Sequence, residues 1–544
     1  MDKNEKVLTK IWQKYQKCKD YIDKKGLVFE TNKNWNFYVG NQWEGCETGG
    51  EVLPVLNFIE SVIKYKTSVI SQNSMIANYS DMDEGENSVE ICEKLNKLFA
   101  EALEKSKFTT YMWDMIEAAA VQGDSYAFWG ENDPKLPPQI LPNTSILLGD
   151  ENITDIQKQP YILIVERLSV KAVQRIAKEN GITGEDYEMI TADDNKELTI
   201  VNREEVEDKV TSILYMTKND DGIVEFARST KSVIYEPQRP LQSQDMYGEY
   251  TGTGLMSYPI VPFIWKKRPN TARGVSEVAS MIPNQIEVNK TIARRSMTVK
   301  LTAFPRIAYD ASAVQNPEDI DKCGVAIEVN GGAQSVNQMI SYLNATNISS
   351  DAEKLQNDLI TMTRELSGAG DYATGNVNPE QASGQAILAV RDQAQIPLNK
   401  QIAQYQQFVE DTALLFFDMW IAFNPNGLQA KDMIIPIEDI ESIKPSVRVD
   451  VSQDNAWSKL AEQQWVDAIF QQGKITFEEY VELCNSNAVP KGKLMQILKK
   501  RQMMQQQMPQ MQTTQDQSLQ QVEPIITQEE PIAATGDYYD RLEI

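Results

Sequence analysis

An α+β fold, mainly helical, with a low-complexity C-terminal tail is what the sequence predicts, and three observations predict it. Apolar residues recur at helical spacing through residues 3–24, 55–73, 88–122, 274–302, 349–366 and 383–423. Short β-branched and aromatic runs, separated by turn signals, fill residues 125–258. Beyond Arg501, ten glutamines fall within residues 502–521 ahead of an acidic end, a composition that buries too little apolar surface to order itself.

Composition narrows the function classes. With 544 residues, 41% of them apolar, the chain is long enough for several ordinary cores. The apolar run Leu414 to Phe417 stops at Asp418, so no membrane span is expected, and the polar start MDKNEKVLTK reads as no secretory signal. Five scattered cysteines, Cys18, Cys46, Cys92, Cys323 and Cys484, read as reduced thiols. The absence of histidine removes Cys/His zinc sites and Ser-His-Asp triads, and no cofactor is expected. A formal charge of −25 argues against a protein that grips nucleic acid broadly, since phosphate neutralisation needs Lys and Arg. The balance reverses between Ile264 and Asp310, where nine Lys/Arg face three Asp/Glu.

Taken in order, residues 3–24 form a helix whose Ile11, Trp12, Tyr15 and Ile22 share a side that packs onto the chain's own body. The aromatic cluster NWNFYVGNQWEG at 34–45 contains no basic residue and reads as core anchors rather than a base-stacking platform. An amphipathic helix follows Pro54, and two more occupy about 88–107 and 109–122. The acidic run DMDEGEN at 81–87 departs from a calcium loop in its glycine position and in Cys92, and reads as a solvated interhelical turn. Seven strand-like runs then appear, with a hairpin signal at Asn219 to Gly222 and a helical piece at about 169–180.

From Gly274 the pattern becomes helix, insert, helix. On the first helix Val275, Val278, Ala279, Ile282, Ile286, Ala293 and Met297 make an apolar stripe with Arg295 opposite, and Pro283 either starts or kinks it. Residues 305–335 read as a strand-and-turn module, and the return helix carries Ala352, Leu355, Leu359, Met362 and Leu366. Two such helices bury little by themselves, so the hairpin needs neighbours, copies of the same chain being the obvious ones. A Gly/Asn-rich loop at 367–382 leads to a helix from the N-cap Ser383 to Phe423, about 60 Å if continuous, with Pro397 expected to kink or divide it. SVRVDVS at 446–452 alternates as a strand expected to rejoin the earlier sheet, and 456–500 reads as three short helices divided at Gly473 and Pro490.

FYVGNQW at 37–43 followed by LNFIESVIKY, PIVPF at 259–263, the Gly274-Val-Ser start with Gln285 and Asn289, and ASGQAILAVRDQA at 382–394 stand in an order that resembles the portal protein of tailed double-stranded DNA bacteriophages. The likeness spans roughly residues 30–500. It implies a ring, typically of twelve subunits, at the portal vertex of the virion capsid, built in the host cytoplasm. Double-stranded DNA would enter and leave through its channel. The partners implied are the large terminase subunit, head-tail adaptor or tail proteins, and the major capsid protein, with no membrane. By position, the wing would take residues 1–271 and 383–455, the stem helices 272–302 and 349–366, the clip 303–348, the tunnel loop 367–382 and the crown 456–503, leaving 504–544 as the glutamine-rich tail. No GxxxxGK[ST] is present, so ATP hydrolysis is expected from a partner and no enzyme activity from this chain.

The resemblance makes Asp371, Tyr372, Asn376 and Asn378 tunnel-loop candidates, with a plain linker as the alternative. Arg295 and Lys300 are stem candidates for facing DNA or solvent, and Lys290 and Arg294, at the border of the stripe, are candidates for intersubunit ion pairs; a solvated helix face is the alternative for all four. Two other functions fit less of the chain. One is another head-tail connector or adaptor, which would be shorter and lack the helix-insert-helix order. The other is an acidic hydrolase using paired carboxylates from the 81–93 run.

Overall fold

The computed structural model describes residues 3–47, 52–71, 76–83, 88–130, 134–194, 208–244, 247–303, 306–320, 322, 325–330, 340–343, 350–370, 396–430, 433–449, 456–477 and 480. It divides into two units, residues 1–453 and 454–544. In the first, helices α1 (Lys3–Lys25), α2 (Leu27–Val39) and α3 (Phe58–Ser71) lead to strand β1 (Ala77–Asp81) and helices α4 (Ser88–Lys105) and α5 (Phe108–Gln122). Strands β2 (Asp124–Phe128), β3 (Gln139–Pro142), β4 (Ile146–Leu148) and β5 (Ile162–Ser169) follow, then α6 (Val170–Glu179), the short α7 (Glu185–Glu188), and β6 (Lys209–Lys218), β7 (Val224–Ser229) and β8 (Ile234–Pro240). The minor pair β9 (Ser243–Gln244) and β10 (Tyr250–Thr251) precedes β11 (Ile260–Ile264).

The strand-rich region forms two sheets rather than one: an antiparallel three-stranded sheet ordered β11-β2-β3 and an antiparallel five-stranded sheet ordered β4-β5-β6-β7-β8. In β5, Ile162 and Ile164 face the main core, while Leu163 and Val165 face α1 through its Ile11, Tyr15, Cys18 and Ile22. With both faces covered, the strand reads as an unbroken apolar run instead of an alternation. The first helix therefore packs on the chain's own sheet. The 219–222 turn joins β6 to β7, with Lys218 opposite Val224.

The hairpin comprises α8 (Val278–Ala303), the antiparallel pair β12 (Arg306–Tyr309) and β13 (Ile340–Leu343), and α9 (Ser350–Leu366). After it come α10 (Asn399–Phe423), β14 (Leu428–Ala430), β15 (Met433–Ile435), α11 (Ile437–Glu441) and β16 (Pro445–Val449). Helix α10 runs along the main core: Phe408 stacks on Phe108, and Phe416 meets Trp129 and Phe99 edge to face at 5.3 and 5.5 Å. It begins after a 3-10 turn, Ile396–Leu398, that contains Pro397; the part of the expected long helix before that turn lies outside the described residues. The expected N-cap Ser383 lies outside the described residues.

Several expectations need correction. Strand β16 pairs with β1, Ala77 opposite Val449, and not with the earlier sheets. The β1 segment ANYSD escapes a propensity reading because Asn, Ser and Asp are poor strand formers; pairing with β16 and burial of Ala77 and Tyr79 hold it. The acidic run therefore leaves a strand, rather than joining two helices, before α4. The first hairpin helix starts at Val278, not at 272–274, because the Ser276 hydroxyl accepts from the Val278 and Ala279 amides at 3.0 and 3.3 Å and fixes the N-terminus there. Pro283 is accommodated in the first turns of α8, at its sixth residue. In the second unit, α12 (Ala456–Gln471) ends near Gly473, whose φ is +67°, and Phe470 packs on Tyr480 at 4.5 Å. The third helix expected beyond Pro490 and the glutamine-rich tail lie outside the described residues.

Candidate functional site

The root of the hairpin is the most tightly engineered place in the first unit. Residues 272–277 run along the end of α5 and the start of β2, and their backbone is stitched to both: Glu277 N donates to Ala120 O at 3.0 Å, Ser276 Oγ to Val121 O at 2.6 Å, and Gly274 N to Asp124 Oδ1 at 3.3 Å. Gly123 and Gly274 lie against each other there. A Cβ on Gly123 would sit 2.8 Å from the Gly274 carbonyl oxygen, so glycine at both positions is a condition of the close approach.

Two charge clusters flank this contact. Arg273 forks onto Glu151 at 2.9 to 3.2 Å, reaches Asp124 at 3.5 Å, and donates to the carbonyls of Asn143 and Ile146 at 2.7 Å. Burial alone would lower its pKa; Tyr126, Glu151 and Asp124 outweigh that and hold it firmly cationic. Burial pushes the Asp124 carboxyl up against the opposing pull of Arg273, the Tyr126 hydroxyl and the Gly274 amide. In the second cluster Glu277 receives Lys66 and Lys266, each at 2.7 Å, and the Trp265 indole N–H at 2.9 Å. Burial acts to raise Glu277, yet the two lysines bring it down to about 2, while burial pulls Lys66 below an ordinary lysine.

Along the shaft, the face of α8 that meets the body shares Val278, Ile282 and Ile286 with the stripe the spacing suggested but departs from it elsewhere. Val278, Met281, Ile282, Gln285, Val288 and Asn289 are buried, whereas Val275, Ala279 and Met297 are exposed. The two amides are the reason an apolar count misses this face. Gln285 Nε2 donates to Leu56 O at 2.7 Å and to Asn289 Oδ1 at 3.0 Å, and Asn289 Nδ2 donates to Gln42 Oε1. They satisfy the backbone of the turn before α3, at positions that the resemblance singled out only as a pattern.

The predicted stem residues are placed as follows. Arg295 crosses to α9, donating to Gln356 Oε1 at 3.0 Å and pairing with Glu353 at 3.5 Å. Lys290 pairs with Glu287 of its own helix at 3.2 Å. Arg294 and Lys300 are exposed on α8, Lys300 with an interaction of its own. Nearer the root, Asn284 Nδ2 donates to Thr363 Oγ1 at 2.9 Å, joining α8 to α9. The tunnel-loop candidates Asp371, Tyr372, Asn376 and Asn378 lie outside the described residues. On α9, Leu355, Met362 and Leu366 are 55, 58 and 88% exposed and share one face at i, i+7 and i+11.

At the tip, β12 and β13 pair with Arg306 opposite Leu343, and a single bridge joins Val314 to Val329 over buried Ala313 and Val314. Of the acidic run proposed for hydrolysis, Asp83 pairs with Lys444 at 2.6 Å, Asp81 accepts from the Lys444 amide at 3.2 Å, residues 88–93 open α4, and residues 84–87 lie outside the described residues. Among the described residues, no group of three or more Cys, Asp or Glu is arranged to hold a metal, and no helix is long and apolar enough to cross a membrane.

No family model matches the chain, and neither does any curated protein. Among solved structures, the chain is similar to one described as the neck of an empty GTA particle computed with C6 symmetry, with a TM-score of 0.34 and 10% identity over 78% of this chain and 88% of that one. A likeness of that size supports no inference about fold or partners.

Proposed function

We propose that this chain is the protomer of a homo-oligomeric ring, a phage portal, through which double-stranded DNA passes into and out of a capsid. One observation carries the reading: a helix-strand-strand-helix hairpin, anchored at its root by buried charges, presents an apolar row on α9 that its own chain leaves uncovered. A row of that kind on a slender protrusion is covered economically by the hairpin of an adjacent copy, and repetition of one contact closes a ring.

In this reading the root fixes the angle at which the hairpin leaves the body, so that about twelve copies converge on one axis. Arg294 pairs with acidic residues of the next subunit and Lys290 stays with Glu287 of its own helix, while Arg295 braces the hairpin and Lys300 faces the channel or solvent. The loop bearing Asp371, Tyr372, Asn376 and Asn378 touches the duplex without holding it, and the net charge of −25 per copy keeps phosphate from adhering. The clip receives the large terminase subunit and later an adaptor or tail protein, the major capsid protein surrounds the ring, and the chain itself performs no catalysis.

Electron-microscopic class averages of the purified protein test the reading. End-on rings with a central channel are expected; monomers alone, across a range of ionic strength and with capsid partners co-expressed, would overturn it. A second connector-type reading, a shorter adaptor seated on another ring, predicts binding to preformed rings and no self-closure in the same experiment.

A further inference from the structure

Four of the nine cations of the basic island at 264–310 are paired inside the chain. Lys266 is bound to Glu277, Arg273 to Glu151 and Asp124, Lys290 to Glu287, and Arg295 to Glu353. Of the others, Arg294 and Lys300 are exposed on α8, and Lys267 and Arg268 are exposed side by side on the loop after β11. Pro269 and Asn270, the latter at φ +56°, give that loop a defined turn. Lys400, exposed at the start of α10, lines the same cleft, and Arg268 and Lys400 have no ion pair among the described residues.

The cleft is about 850 Å³ in volume and runs between α10 and β11. One wall is a face of α10 that includes Lys400, Gln404, Gln407, Asp411 and Asp418, a rise of about 27 Å at 1.5 Å per residue. Ile260, Ile264 and Phe408 contribute apolar lining. The polar groups are graded along its length. Lys400 lies at one end, and because Ser257 meets Asp418 while Phe263 meets Phe408, the chain beyond β11 runs toward that end with Lys267 and Arg268, Lys267 close enough to draw on Asp411. Asp411, bonded by Gln407 at 2.9 Å, lies in the middle, and Asp418, bonded by Ser257, lies at the other end.

We propose that this cleft docks a short extended peptide segment of a partner protein, acidic at the end that meets Lys267, Arg268 and Lys400, apolar in the middle, and offering N–H or hydroxyl donors to Asp411 and Asp418. The wall accommodates about eight extended residues at ~3.3 Å each. A nucleic-acid backbone fits less well, because Asp155, Asp411 and Asp418 line the same cleft and repel a continuous row of phosphates. Peptide acids can be confined to one end. The inference is independent of the ring reading, since every residue it uses belongs to one chain.

A random twelve-residue displayed peptide library, selected on the full-length protein at physiological salt, tests it. Enrichment of sequences with clustered Asp/Glu beside apolar residues is expected. The best of them, fluorescein-labelled, should lose at least about tenfold in affinity on Arg268→Glu combined with Lys400→Glu, and similarly on Gln404→Trp, which fills the groove without changing charge. All three positions are non-core, and unchanged circular dichroism checks that the variants fold. An empty selection, a neutral or basic consensus, or affinity indifferent to the variants would overturn the proposal. So would a labelled 30-base-pair duplex that displaces the peptide and responds to the same substitutions.

Discussion

Gly123 and Gly274, separated by 150 residues, meet backbone to backbone at the point where the hairpin leaves the body. A Cβ on Gly274 would lie 2.7 Å from the carbonyl carbon of Gly123. Because the obstacle is backbone in a hydrogen-bonded seam, no side chain can swing away to relieve it. Gly274→Ala is expected to cost roughly 3 kcal/mol or more, above the usual overpacking range. Thermal unfolding of the soluble protein measures this; an unchanged midpoint would show that the seam yields.

Arg273 is the hub of the neighbouring cluster, with Asp124 fully buried and Glu151 nearly so. Arg273→Met leaves both carboxylates without their cation, and a loss of about 3–5 kcal/mol is expected. Arg273→Lys should recover part of it, since one ammonium cannot reproduce the fork onto Glu151 and the bonds to two carbonyls. Denaturant titration of the three proteins gives the order; an Arg273→Lys variant as stable as the parent protein would refute the bidentate argument.

Glu277 supplies a pH dependence with a definite sign. Its carboxyl lies at about 2 in the fold against 4.5 ordinarily. The stabilisation is therefore complete above about pH 4.5 and is lost as pH falls through 2, a contribution on the order of 3 kcal/mol. Glu277→Gln should be less stable than wild type at neutral pH, and the gap should close on acidification across that window. A gap constant from pH 6 to pH 2 would mean that the glutamate is not what Lys66 and Lys266 stabilise.

Leu355 and Met362 separate folding from assembly. Since both are more than half exposed, Leu355→Asp with Met362→Asp should alter the stability of the single chain by no more than about 0.5 kcal/mol per site. Ring closure should fail, as read by sedimentation velocity. Normal rings from the double variant would remove the α9 row from the interface.

Arg295 offers a finer measurement. Its bonds to Gln356 and Glu353 are partly exposed, so Arg295→Ala should loosen α8 against α9 by about 0.2–1 kcal/mol and speed amide exchange in both helices. Arg294→Ala, one residue away and exposed, should not. Identical exchange in the two variants would exclude a bracing role.

Much of the fold was legible wherever one physical demand governed a whole segment. The helical period of 3–24 follows from packing one side of α1 on a sheet, and the run YILIV follows from a strand covered on both faces. The 219–222 hairpin is a local consequence of turn chemistry. The β1–β16 pair was not legible, because 366 residues separate Ser80 from its partner Ser446 and neither segment announces the other. The true buried face of α8 was obscured in a similar way. Gln285 and Asn289 are polar by composition, yet they are buried because the Gln285 Nε2 donates to Leu56 O and the Asn289 amide bonds Gln42 and the Leu56 N–H.

By itself, the sequence determined the order of helices and strands, the absence of histidine chemistry, the acidic balance and the existence of a helical hairpin interrupted by strands, since these depend on composition and on periods within a few turns. Only the tertiary structure decided what the basic island does. Coulombic attraction depends on distance in space, and the fold brings Glu151, Asp124 and Glu353 to cations far away in the chain. It thereby paired the cations at the root of the hairpin, left Arg294 and Lys300 exposed along the shaft, and set Lys267, Arg268 and Lys400 around a cleft that no linear pattern marked.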